Sequence, residues 1–124
     1  MISRHKQFRV SLSYAWDGLR RVFGEEQNFR VQSVVGLLVI LVMFLLEVSS
    51  MEKAILTLAV AFILVLELMN SIFERVTDLL KPRVHMRVKD VKDIMAGTVL
   101  LASVAASLVG LFILGPHILS KLFG

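Results

Sequence analysis

Three apolar runs decide what this chain can fold into, because each is long enough to cross a bilayer as a helix. Val31 to Val48 makes about 27 Å of helix at 1.5 Å per residue. "AILTLAVAFILVL", residues 54–66, carries no charge, and no Gly or Pro interrupts its helix before Asp78. Ile94 to Leu114 is the third run, with Gly115 and Pro116 expected to end it. With 56% hydrophobic residues in 124, the chain is too apolar for an ordinary soluble domain. The fold class expected is all-α integral membrane, in one domain over 1–124 with membrane helices at 31–48, 54–78 and 94–114.

Outside the spans the pattern is that of a helix lying at a surface. Phe8, Leu12, Ala15, Trp16, Leu19 and Phe23 recur every three or four residues, which gives 5–23 one apolar face. Arg9, Ser13, Asp17, Arg20 and Arg21 fill the rest, and Gly24 is expected to break the helix. A basic helix with aromatic anchors can lie among lipid headgroups or pack on its own protein, and both remain open. The segment lacks the continuous apolar core and small-residue cleavage site of a secretory signal.

The net charge of +4 is explained by basic residues near the spans rather than by nucleic acid. Five Lys/Arg precede Gly24 and five more lie between Lys81 and Lys92, whereas the other two connections carry only Lys53 and Lys121. The positive-inside rule then places the N-terminus and the second loop in the cytoplasm and the C-terminus outside. In the third run Ala102, Ala106 and Gly110 repeat every four residues beside Ser103 and Ser107. Such a stripe permits close helix contact in lipid. With no cysteine, disulfide and thiolate chemistry are excluded.

The chemistry concentrates in "ELMNSIFERVTD", residues 67–78. Glu67, Asn70, Glu74 and Asp78 fall within an arc of roughly 80° on a helix, with Ser71 near its edge. Acids at membrane depth are functional candidates by default. Counted from Ala54, Glu67 lies about 20 Å along the helix and Glu74 about 30 Å. Glu74 and Asp78 therefore reach the interface, and Glu67 sits below it, at the depth of a lipid hydroxyl. A carboxyl there suits a proton acceptor, with Ser71 beside the same lipid. Glu74 suits a hard cation, for which Glu26 at the entry to the first span can supply a second carboxylate. Asn70 can donate to a phosphate oxygen. Lys92 and Asp93 precede the third span at the same level, where Lys92 can pair with phosphate or simply anchor the span.

These residues resemble the prokaryotic diacylglycerol kinase family, which includes undecaprenol kinases. "YAWDGLR", "EEQNFR", "ELMNSIFERVTD" and "VKDIMAG" stand in the family's order and spacing over nearly the whole chain. The resemblance implies a homotrimer with three membrane helices and one surface helix per subunit. Its active sites would be shared between subunits in a bacterial inner membrane. It implies Glu67 as catalytic base, Asn70 near the transferred phosphate, and Glu26 and Glu74 as ligands of Mg2+ carried with ATP. Lys92 and Asp93 match the phosphate-contacting lysine and its acidic neighbour, and Asp78 an acid close to the nucleotide. Tyr14 occupies the place of an aromatic beside adenine, and His85 that of a histidine covering the nucleotide.

The chain departs from the family where Ile72 and Phe73 replace smaller residues, on positions that face away from the stripe. Arg83 and Val84 replace a Glu and a Tyr ahead of the histidine, and Gln7 replaces an arginine. The function implied is ATP-dependent phosphorylation of a membrane lipid alcohol, diacylglycerol giving phosphatidic acid. Undecaprenol is the alternative acceptor, toward which "DIMAG" after Lys92 leans. A proton or ion transporter subunit is the alternative of another class. It would need polar groups continuing along residues 54–66, where only Thr57 is available.

Overall fold

The computed structural model describes residues 1, 3–80 and 85–124, and of His85 the backbone alone. Among them the chain is helical almost throughout, in the order α1 (Arg4–Glu25), α2 (Gln27–Leu45), α3 (Ser50–Leu80) and α4 (His85–Phe123). In lipid no water is available to satisfy backbone N–H and C=O groups, and an uninterrupted helix satisfies them internally. Helices α2, α3 and α4 are each long and apolar enough to span a bilayer. This is an all-α membrane protein.

Helix α3 is the centre of the protomer. It packs against α4 along one side and α2 along the other, while α1 has α2 as its main neighbour. Near the Glu52 end of α3, Met43, Val48 and Leu56 form one buried cluster, joined by Val109 and Ile113 of α4. Further along, Ile63 and Leu66 bury against Ala102, with Ala106 beside them. Lipid tails are as apolar as these side chains, so close van der Waals contact, rather than removal from water, holds such seams together. Ala102 and Ala106 of the small-residue stripe of α4 thus form a seam within the protomer.

Several boundaries differ from the pattern-based expectation, three of them for a clear local reason. Helix α1 runs through Gly24, because glycine weakens a helix without ending it, and stops where Glu26 turns extended (φ −107°, ψ 109°). Helix α2 ends at Leu45 rather than Val48, and Glu47 adopts a left-handed φ of 53° just after it. Helix α3 then starts at Ser50 instead of Ala54 because a capping box builds its first turn. The Ser49 hydroxyl accepts from the Glu52 N–H at 3.2 Å, and the Glu52 carboxylate accepts from the Ser49 N–H at 3.2 Å.

The expectation that Pro116 ends the last helix is wrong. Helix α4 continues to Phe123 with Pro116 inside it. Membrane helices tolerate such a proline where neighbouring groups share the local polar load. One residue beyond it, the His117 ring nitrogen Nε2 lies 3.3 Å from the Glu52 carboxylate and ties this end of α4 to the start of α3.

The approach of α2 to α3 depends on Gly36, a buried residue whose missing side chain makes room for Val60. A Cβ built on Gly36 would meet Val60 Cγ1 at 2.7 Å, closer than two carbons can sit. Valine is stiff about χ1, so Val60 cannot easily swing aside. Gly36→Ala should cost about 1–3 kcal/mol through overpacking. In detergent its thermal unfolding midpoint should fall by several degrees, and Val60→Ala in the same chain should restore most of it. A Gly36→Ala protein as stable as wild type would refute this contact.

Candidate active site

The polar groups of α3 gather on the face it turns toward the rest of the protomer. Glu67 is 7% exposed and Ser71 3% exposed, although both follow directly on an apolar membrane stretch. Asn70 and Glu74 are half-buried and Asp78 is exposed, so the stripe emerges toward water along its length. Ile72 and Phe73 are exposed on the opposite side, as their phase requires. The family departures at these two positions therefore leave the polar face alone.

Opposite this face stands the junction of α1 and α2, whose single non-helical residue is Glu26. Its Oε1 accepts a hydrogen bond from the Ser71 hydroxyl at 3.2 Å. Arg75, one turn further along α3, pairs with Glu25 at 2.7 Å and approaches Glu26 at 4.0 Å. Glu67 and Glu74 stand four residues before and three residues after Ser71 on the same face of α3, on the side where Ser71 binds Glu26. Carboxylates from two segments of the chain are thus brought to one side of α3 at the edge of the apolar region.

The junction is itself pinned. Arg30, in the first turn of α2, reaches back to the carbonyl oxygens of Phe23 at 3.0 Å and Gly24 at 2.8 Å. These are among the last carbonyls of α1, which have no partner within their own helix. Phe23 and the buried Phe29 meet edge to face, with ring centres 6.4 Å apart. The turn that presents Glu26 is therefore fixed by a cation on one side and an aromatic pair on the other.

Lys92 and Asp78 form an ion pair at 3.2 Å, which joins the start of α4 to the end of the α3 stripe. Asp93 pairs instead with Lys89, four residues back on its own helix at 2.7 Å. Tyr14 is 72% exposed on α1, a helix with no buried residue, and is not gathered with the carboxylates in the protomer. The side chain of His85, and Arg83 and Val84 entirely, lie outside the described residues. Thr57 donates its hydroxyl to the Lys53 carbonyl of its own helix at 2.8 Å. That bond adds nothing to a polar path across the membrane.

As a donor set the carboxylates suit a hard cation. Among the described residues no group of three acidic or histidine side chains is close enough to hold a metal by itself. Magnesium does not require one. It commonly takes one or two carboxylates and completes its octahedron with water and substrate phosphates.

With this geometry the comparison with known proteins is informative. Residues 13–114 match the family model described as prokaryotic diacylglycerol kinase. The chain belongs to that family. A diacylglycerol kinase of Synechocystis sp. is 39% identical over 112 residues, covering 90% of this chain but 64% of that protein. A diacylglycerol kinase of Escherichia coli is 29% identical over 104 residues, 84% of this chain and 85% of the other. An undecaprenol kinase of Bacillus subtilis is 30% identical over 112 residues, 90% of this chain and 91% of the other. This is a family of membrane lipid kinases.

Glu25, Arg30 and Arg75 escaped the sequence reading, though each bonds at or beside the site. Arg75 carried a usable signal, since it stands four residues after Ser71 on the flank of the same stripe. Glu25 and Arg30 carried none, because their partners are set by the turn at Glu26. Replacing Arg30 with Ala should leave the last carbonyls of α1 to water and loosen the turn. Amide hydrogen exchange at residues 23–27 should quicken several-fold while the middle of α3 is unchanged. Unaltered exchange at the turn would show that Arg30 does not hold it.

Proposed function

We propose that this protein is an ATP-dependent kinase of a membrane lipid alcohol, with diacylglycerol as acceptor and phosphatidic acid as product. The observation that carries this reading is a buried carboxylate, Glu67, one turn from the Ser71 that binds the Glu26 carboxylate, at the point where α3 leaves its apolar stretch. A lipid hydroxyl and a nucleotide can meet only near that boundary. The family membership supports the same reading.

Glu67 accepts the proton of the lipid hydroxyl as that oxygen bonds to the γ-phosphorus of ATP. The bond from the γ-phosphorus to the bridging oxygen breaks, and ADP leaves. Glu26 and Glu74 hold Mg2+, which when bound neutralises charge on the phosphates. Asn70 donates to the transferred phosphate. Lys92 gives up part of its pairing with Asp78 to phosphate oxygens, and Asp93 stays on its helical partner Lys89. Tyr14 and His85 serve the adenine side, and Asp78 lies near the nucleotide.

Tyr14 stands exposed and apart from the carboxylates of its own protomer, which supports a nucleotide site completed by a second subunit. We place the protein as a homotrimer in the bacterial inner membrane, with its N-terminus cytoplasmic and its C-terminus outside. The basic residues around α1 and at the start of α4 support that orientation. A second acceptor, undecaprenol, is favoured by the Bacillus subtilis relative that bears that activity in its name. Both lipids present a primary hydroxyl on an apolar body.

Phosphate transfer from labelled ATP to each purified lipid tests the proposal. Wild type should phosphorylate diacylglycerol faster than undecaprenol, and removal of Mg2+ with a chelator should abolish the signal. Glu67→Gln should lose at least about a hundredfold in rate, the range general-base removal gives. Equal rates for the two proteins would sink the base assignment. Transfer to neither lipid would sink the kinase reading.

A further inference from the structure

We propose that Ser71 and Arg75 are positioning residues that set the Glu26 carboxylate for its metal, an inference that rests on the kinase reading above. Glu26 is the one residue between α1 and α2 whose backbone leaves the helix. A side chain on such a turn inherits no fixed direction from a helix, so its direction must come from contacts. The structure supplies them from a single element. The Ser71 hydroxyl donates to Oε1, which among the described residues leaves Oε2 for a cation. Ser71 is almost fully buried and sits well inside a long helix, more than two turns from its end, so its hydroxyl is a rigid reference point.

Arg75 acts one step further out. Its strong contact is with Glu25 at 2.7 Å, and Glu26 stands at 4.0 Å. The arginine therefore ties the turn to α3 through Glu25, and at the same time cancels the charge of an acid adjacent to the metal ligand. A cation held directly on Glu26 would compete with the metal. One spent on the neighbouring Glu25 steadies the turn with less competition. Glu67, Ser71 and Arg75 follow at intervals of four along α3, so base, orienting hydroxyl and tether share one flank of one helix. The distance between the proton acceptor and the metal carboxylate is then set by the pitch of α3. This assigns Ser71 to the metal side of the site rather than to the lipid.

The test uses purified full-length protein in detergent with Mn2+ as the metal probe and a non-hydrolysable ATP analogue. Free Mn2+ is read by electron paramagnetic resonance, and the half-saturating Mg2+ for lipid phosphorylation is measured in parallel. Ser71→Ala and Arg75→Gln should each weaken nucleotide-dependent Mn2+ binding three- to tenfold. Half-saturating Mg2+ should rise by the same factor, with kcat at saturating Mg2+ changed less than threefold. Arg75→Lys should recover most of the affinity, and Ser71→Thr, which keeps the hydroxyl, should recover part of it.

Glu25→Gln breaks the tether from its other end and should act like Arg75→Gln should that variant fail to fold. Unchanged or tighter Mn2+ binding in Ser71→Ala, or in both tether variants, overturns the proposal. Wild type that binds Mn2+ with nucleotide but transfers no phosphate to lipid overturns the kinase reading alone. Wild type with no nucleotide-dependent Mn2+ binding overturns both.

Discussion

A carboxylate in a membrane helix must find polar company inside the protein, because hydrocarbon offers none. That constraint organises this protomer. Glu67 and Ser71 are buried on the face of α3 that meets the rest of the chain, and the exposed side of the same helix carries Ile72 and Phe73. The partner brought to Ser71 is Glu26, delivered by the turn between α1 and α2. Packing and polarity therefore demand the same orientation of α3, and no other rotation of it would satisfy both.

The two ends of α3 solve different problems. At the Glu52 end the helix is held by side-chain interdigitation around Leu56 and by the Glu52 to His117 contact. At the Glu26 end it is held by polar bridges to both neighbours, Ser71 and Arg75 to the α1–α2 turn and Asp78 to Lys92 of α4. Apolar packing is insensitive to what binds nearby, whereas ion pairs exchange readily with phosphate or metal. A helix anchored firmly at one end and through exchangeable pairs at the other suits a site that must admit a charged nucleotide.

Most of this was legible in the sequence, and what was not has a common cause. Periodicity and charge placed the three spans, the surface helix and the polar face of α3, because each rests on spacing within one helix. The helix ends were misplaced where a single bond or packing environment decides them. The capping box of Ser49 and Glu52 extended α3 backward, and the surroundings of Pro116 let α4 run on. Glu67 and Glu26 were recognised as candidates from their depths, yet Arg75 and Arg30 were not. Their partners come from the three-dimensional path of the turn at Glu26, which no spacing rule encodes.

That turn also accounts for the presence of a surface helix on a small membrane protein. A span that simply began at Gln27 would present Glu26 on a frayed end, with its carboxylate sampling water. The preceding helix, stopped at Glu25 and clasped by Arg30, gives Glu26 a fixed backbone on both sides. In the proposed site, fixing Glu26 before a metal arrives would lower the ordering cost that binding would otherwise carry. The same helix is amphipathic and exposed along its apolar residues in the protomer, which suits it to lie among headgroups and hold the turn at that level. The depth of the carboxylates and the helix that sets it are two aspects of one requirement. A charged substrate and an apolar one must reach the same atoms from opposite sides.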